Sequence, residues 1–236
     1  MSRTVRILLA LFVVALVVGG AVVAWLWFGG GEASGPITAP AVTAAAGATT
    51  FSIVQDESEA RFLLDEDLRG ERITVVGATD QVAGQIAVDF ANPAASTVGT
   101  IRINARGLAT DQEFRNRAIR TAILQTGDYE FIEFVPTAVN GLPASVTIGT
   151  PFSFQIVGDL TIRNITQSVT FETTVTPVSE TRIEGLATTL VTLEQYQLTI
   201  PEVPSVANVE DEIELELQFV ATAGTAAADA EPTAAG

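Results

Sequence analysis

From residue 212 to 219 every second side chain is apolar: Ile213, Leu215, Leu217 and Phe219 alternate with Glu212, Glu214, Glu216 and Gln218. Successive side chains of a strand point to opposite faces, so this stretch has one wet face and one apolar face. Coiled into a helix it would spread carboxylates around the whole circumference and bury nothing cleanly. The period recurs. Ile86, Val88 and Phe90 alternate with Gln85, Ala87 and Asp89, and Ile101, Ile103 and Ala105 with Arg102, Asn104 and Arg106. Phe154-Ile156 and Leu160-Ile162 continue it around Gly158, and Val169, Phe171, Thr173 and Val175 make another run. Shorter strand candidates lie at 51–54, 58–64, 72–78, 130–135, 183–191 and 196–200, punctuated by Gly70, Asn92-Pro93, Asn140 to Pro143 and Pro201. Many short strands with hairpin turns predict an all-β fold, an antiparallel barrel of about eight strands or a sandwich. A barrel has the advantage of leaving no open edge. One of that size is either filled by its own side chains or holds one small ligand.

One stretch departs from this period. Phe114, Ala118, Ile119, Ala122 and Ile123 fall at helical spacing between Asp111 and Leu124, with Thr110 or Asp111 as N-cap. This predicts one short connecting helix. Arg115, Arg117 and Arg120 lie off its apolar stripe. They form a solvated basic face or, if the helix caps a barrel mouth, contacts for a ligand's head group.

Composition removes several chemistries. The 236-residue chain has no cysteine and no histidine, and all 12 basic residues are arginine. Disulfides, zinc thiolate sites, Ser-His-Asp triads, Schiff-base lysines and Walker-type phosphate loops each lack an essential member. The net charge of −16 repels nucleic acid and anionic headgroups. Acidic neighbours such as Asp65 with Asp67 and Glu210 with Asp211 read as solvated turn residues, not catalytic pairs. The expectation is a non-enzyme that uses neither cofactor nor metal.

Ile7 to Phe28 carries no charge and would span ~33 Å as a helix, enough for a bilayer core of ~30 Å. Arg3 and Arg6 precede it, and Trp25, Trp27 and Phe28 close it. These flanks predict an uncleaved transmembrane helix with residues 1–6 cytoplasmic and the remainder outside, at the cell membrane. A cleaved signal peptide would have a shorter apolar region. Residues 29–49 read as a flexible linker, 50–222 as the folded domain and 223–236 as a disordered tail.

Four segments of the domain resemble one family. Gly158-Asp159-Leu160-Thr161-Ile162-Arg163-Asn164-Ile165-Thr166, followed by Val169-Thr170-Phe171, is similar to the Gly-x-Leu-Thr-Ile-x-Gly-Val-Thr element of the YceI-like proteins. Gly107 to Thr110 leading into the Arg-rich helix, then Tyr129 to Phe134, resembles that family's Thr, helix and aromatic strand. Ala83 to Phe90 and the closing strand from Val209 to Ile213 match further pieces. Departures occur at Glu57-Ser58, Arg115-Asn116, Glu130, Asn164 and Glu194 to Gln197.

The resemblance implies a lipocalin-like barrel whose apolar lumen accepts an isoprenoid or another amphipathic lipid, as a carrier or sequestering protein. It allows a dimer. Ile86, Val88, Ile101, Ile103, Phe131, Phe134, Phe154, Ile156, Phe171, Leu215, Leu217 and Phe219 are the expected lining. Arg115, Arg117 and Arg120 are the expected head-group contacts. The competing expectation is an acidic scaffold or interaction module whose core is filled.

Overall fold

The structure, a computed structural model, describes residues 37–223. The predicted transmembrane helix over 7–28 lies outside them, as do residues 29–36 of the linker and the tail from 224. Among the described residues no helix is long and apolar enough to cross a membrane.

The strands in chain order are β1 (Thr49–Ile53), β2 (Glu59–Leu68), β3 (Glu71–Thr79), β4 (Val82–Ala83), β5 (Gln85–Val88), β6 (Thr97–Val98) and β7 (Ile101–Asn104). After the helical segment come β8 (Phe131–Asn140), β9 (Phe152–Ile162), β10 (Ile165–Ser179), β11 (Arg182–Thr192), β12 (Val206–Ala207) and β13 (Glu212–Ala223). All pair antiparallel in one sheet, which curls into a half-barrel. From β7 to β11 each strand pairs with the next, and β11 then pairs with β13.

The curl brings distant chain segments together through two interrupted strands. β13 pairs with β2 through residues 214–218 and with β1 through 221–223. At the break Ser58 Oγ accepts the Val220 N–H at 3.0 Å and donates to the Val54 carbonyl at 2.7 Å, so the ladder is continued where backbone pairing lapses. Similarly β4 pairs with β7, while β5, one residue further on, pairs with β1.

Tight turns set the registers. Leu68 faces Glu71 across a two-residue loop in which Arg69 and Gly70 both take positive φ, 54° and 87°. That is the left-handed geometry matching the twist of the flanking strands. Elsewhere glycine makes room. Gly185 lies opposite Phe219, and a Cβ there would sit 2.5 Å from the ring. Phe219 thus lies flat across the inner face of β11.

The helical segment is shorter and differently wound than its spacing predicts. α1 (Glu113–Ala118) passes into a π-helical turn at Ile119–Ile123, closed by Leu124 N–H to the Ile119 carbonyl at 2.8 Å. The extra residue per turn shifts the apolar face. Ile119 and Leu124, five apart, are buried, while Ala122 is exposed and Phe114 is 86% exposed. Neither Thr110 nor Asp111 is the N-cap; the helix starts after Gln112. Instead the buried Asn116 Oδ1 accepts from Thr110 N–H (2.6 Å) and Oγ (2.7 Å), pinning the approach.

Two further segments differ from expectation. Residues 196–200 are not a strand; Tyr196 ends a 3-10 turn and is fully buried. Part of the stretch read as flexible linker is laid against the sheet. Ile37 is buried, its carbonyl accepts from Gln55, and Val42 N–H donates to Gln85 Oε1 at 3.1 Å.

Candidate functional site: an apolar lumen

The inner faces of the curled sheet enclose a cavity of about 270 Å³. It is long. Phe152 and Ile162 both line it, and ten residues of extended β9 separate them by ~33 Å. Its wall is almost entirely hydrocarbon. Ala60, Phe62 and Leu64 of β2 face it, with Phe154, Ile156 and Leu160 of β9. The π-helical turn and its flank close one end with Ile119, Ile123 and Leu124.

Packing inside is incomplete. Phe62, Ile103, Ile132, Phe154, Phe171, Leu215 and Leu217 all point inward yet are only half-buried. Native cores fill to the density of organic crystals, and inward apolar surface left uncovered marks open space. Leu217 shows why the space exists: its cross-strand neighbours are Ala187 on β11 and Ala60 on β2. Phe134 and Phe171, both in the wall, meet edge to face at 4.9 Å.

Eleven of the twelve residues expected to line the lumen do so: Ile86, Val88, Ile101, Ile103, Phe134, Phe154, Ile156, Phe171, Leu215, Leu217 and Phe219. Phe131 does not. It is three residues from Phe134, and an odd separation on one strand puts the two on opposite faces. Ile132 lines the lumen in its place, and Phe131 lies outside under the Arg102 guanidinium, 5.1 Å from the ring centroid. Phe62, absent from the expected set, follows from the same alternation within 58–64. Tyr196 joins the wall from a turn, where no periodic signal exists. Burial pushes its hydroxyl pKa up to about 12, and its O–H reaches only the Leu160 carbonyl, at 3.5 Å.

Of the three helix arginines only Arg115 reaches the lumen. It donates to Glu66 at 2.9 Å and to Asp111 at 2.7 Å. Arg120 turns to Glu113 at 2.9 Å, and Arg117 lies over the exposed Phe114 ring. The hydrogen bond from Arg120, then that from Asn116, holds the Glu113 carboxyl below its ordinary range. The acidic neighbours are engaged too: Asp65, Asp67 and Glu210 surround Arg72 outside the sheet.

The model of the YceI-like domain matches residues 51–221. A polyisoprenoid binding domain from Saccharophagus degradans, implicated in plant cell wall breakdown, is 14% identical with a TM-score of 0.59, covering 75% of this chain and 99% of that one. Burkholderia cenocepacia BcnA is 17% identical with a TM-score of 0.58, covering 72% and 99%. A Campylobacter jejuni YCEI protein is 13% identical with a TM-score of 0.52, covering 63% and 85%. At these identities the structures share a fold. No curated protein sequence matches the chain. With a domain match over most of its length, the same curled sheet and an apolar lumen, the chain belongs to the YceI-like domain family.

Proposed function

We propose that the domain binds the hydrocarbon tail of an isoprenoid or another amphipathic lipid in its lumen and carries or sequesters it. The observation that supports this most is the long cavity of about 270 Å³ walled by uncovered apolar side chains. Each methylene moved from water into such a wall gains ~0.8 kcal/mol, so a linear tail binds tightly without specific polar contacts. The similarity to a polyisoprenoid binding domain points the same way. A filled core, which a purely scaffolding module would have, is not what the inner face presents.

In this reading the curled sheet works as a lipocalin-like barrel, the run from Ile7 to Phe28 anchors it, and the domain lies outside the cytoplasm, as Arg3 and Arg6 suggest. Eight residues, 29–36, separate that run from Ile37, the first described residue and a buried one, so the lumen would stay beside the membrane that holds its ligand.

The test is native mass spectrometry of the purified chain followed by organic extraction. A lipid of long chain, released in near-stoichiometric amount, is the expected result. A protein that leaves the cell empty and takes up no added prenyl or alkyl lipid would refute the reading.

A further inference from the structure

One carboxylate is buried in the wall of this hydrocarbon lumen. Glu66 is the next inward position of β2 after Ala60, Phe62 and Leu64, and it is 5% exposed. Among the described residues its single hydrogen bond is the one it accepts on Oε1 from Arg115, at 2.9 Å. An ionised carboxylate offers about four acceptor sites, so most of its capacity is unused. Arg115 stands differently. It is shared between Glu66 and the exposed Asp111, two carboxylates for one guanidinium.

The other two acids at the lumen wall are unlike Glu66, and Glu216 is paired with Arg61 at 2.7 Å. Asp89, at the far end, has its Oδ1 taken by the backbone N–H groups of Ala91 and Asn92 at 2.9 and 2.8 Å. It stabilises its own turn. A clip holding α1 to β2 would explain Arg115 but not the spare acceptors of a buried glutamate at an inward strand position.

We infer that the lumen selects lipids whose head group donates a hydrogen bond and bears no negative charge, a long-chain alcohol or amine, with Glu66 as the acceptor. Carboxylate and phosphate heads are disfavoured, because both arginines at the wall are already committed to acids, Arg61 to Glu216 and Glu59 and Arg115 to Glu66 and Asp111. This differs from the sequence-based expectation that the helix arginines contact the head group. It rests on the lipid-binding reading above.

The test uses the full-length chain, stripped of lipid and kept soluble by an amphipathic polymer. Dodecanol, dodecylamine, dodecanoate and dodecyl phosphate compete with the apolar dye N-phenyl-1-naphthylamine at fixed pH and ionic strength. A charge-assisted hydrogen bond predicts that the alcohol and amine displace the dye at concentrations about tenfold lower than the two anions. Glu66→Gln is expected to shrink the amine-to-dodecanoate ratio about tenfold while the gain from octyl to dodecyl chains is retained. If all four displace the dye equally, or the anions do so better, the head-group inference is overturned and the lipid reading stands. If none displaces it, the lipid reading fails first. Should Glu66→Gln not fold, the unmodified chain's ranking of the four heads decides alone.

Discussion

Leu217→Trp distinguishes an open lumen from a packed core. Enlarging a side chain in a filled core costs about 1–3 kcal/mol. For a domain of this size that is a fall in Tm of roughly 2–12 °C, at about 2–4 °C per kcal/mol. Leu217 instead faces a void of about 270 Å³ and has alanine on both flanking strands, Ala187 and Ala60. If the indole occupies roughly 50 Å³ of that void, the recovered cavity term is about 1.2 kcal/mol, at about 24 cal/mol per Å³. The variant is therefore expected to melt at the parent temperature or up to roughly 5 °C above it. The occupied space is lost to the ligand. Room for two fewer methylenes costs about 1.6 kcal/mol, a roughly 15-fold weaker Kd. Thermal melts with and without a dodecyl lipid, together with dye displacement, measure both effects on one sample. A Tm lowered by several degrees with unchanged lipid affinity would refute the reasoning, since it would mean that Leu217 is packed and the lipid goes elsewhere.

Three further outcomes follow from particular residues. Ile132→Ala is expected to change dye displacement, whereas Phe131→Ala, on the outer face, leaves it unchanged; binding isotherms of the two variants compare them directly. Asn116→Ala removes the partner of the Thr110 N–H and hydroxyl and is expected to cost about 1–3 kcal/mol in urea unfolding, with faster amide exchange over 110–118. The hydrogen bond from Arg182 holds the Glu57 carboxyl below its ordinary value of 4.5. A depressed folded value stabilises above the unfolded pKa and loses that contribution as pH falls through the folded one. The Glu57→Gln variant should accordingly show a shallower loss of stability on acidification below about pH 4.5, and an acid limb parallel to the parent's would contradict this.

The alternation of Glu212 to Phe219 was enough to predict β13 and the direction in which each of its side chains points, because a strand's period is a local property. Ile86, Ile101, Phe154 and Phe171 were placed on the inner wall by the same rule. The same rule turns Phe131 outward, because it lies an odd number of residues from the inward Phe134 on β8. Composition was equally direct in excluding histidine, lysine and cysteine chemistry. The helical segment was legible as a helix but not in its phase, since a π turn is decided by what the face must cover rather than by propensity. Ile37 and Val42 lie in a stretch of linker composition and are held by contacts with Gln55 and Gln85 that no local pattern announces.

The central question for function, filled core or open lumen, was the one that the sequence left undecided. Both demand the same apolar inward faces. What separates them is how the rows meet across the curl: Leu217 between two alanines, Phe219 laid over Gly185, Phe134 against Phe171. Glu66 makes the same point for polarity. By sequence it is one more acid in an acidic run. Only the curl of the sheet, which turns its face of β2 inward beneath α1, makes it a buried acceptor at the wall of the lumen.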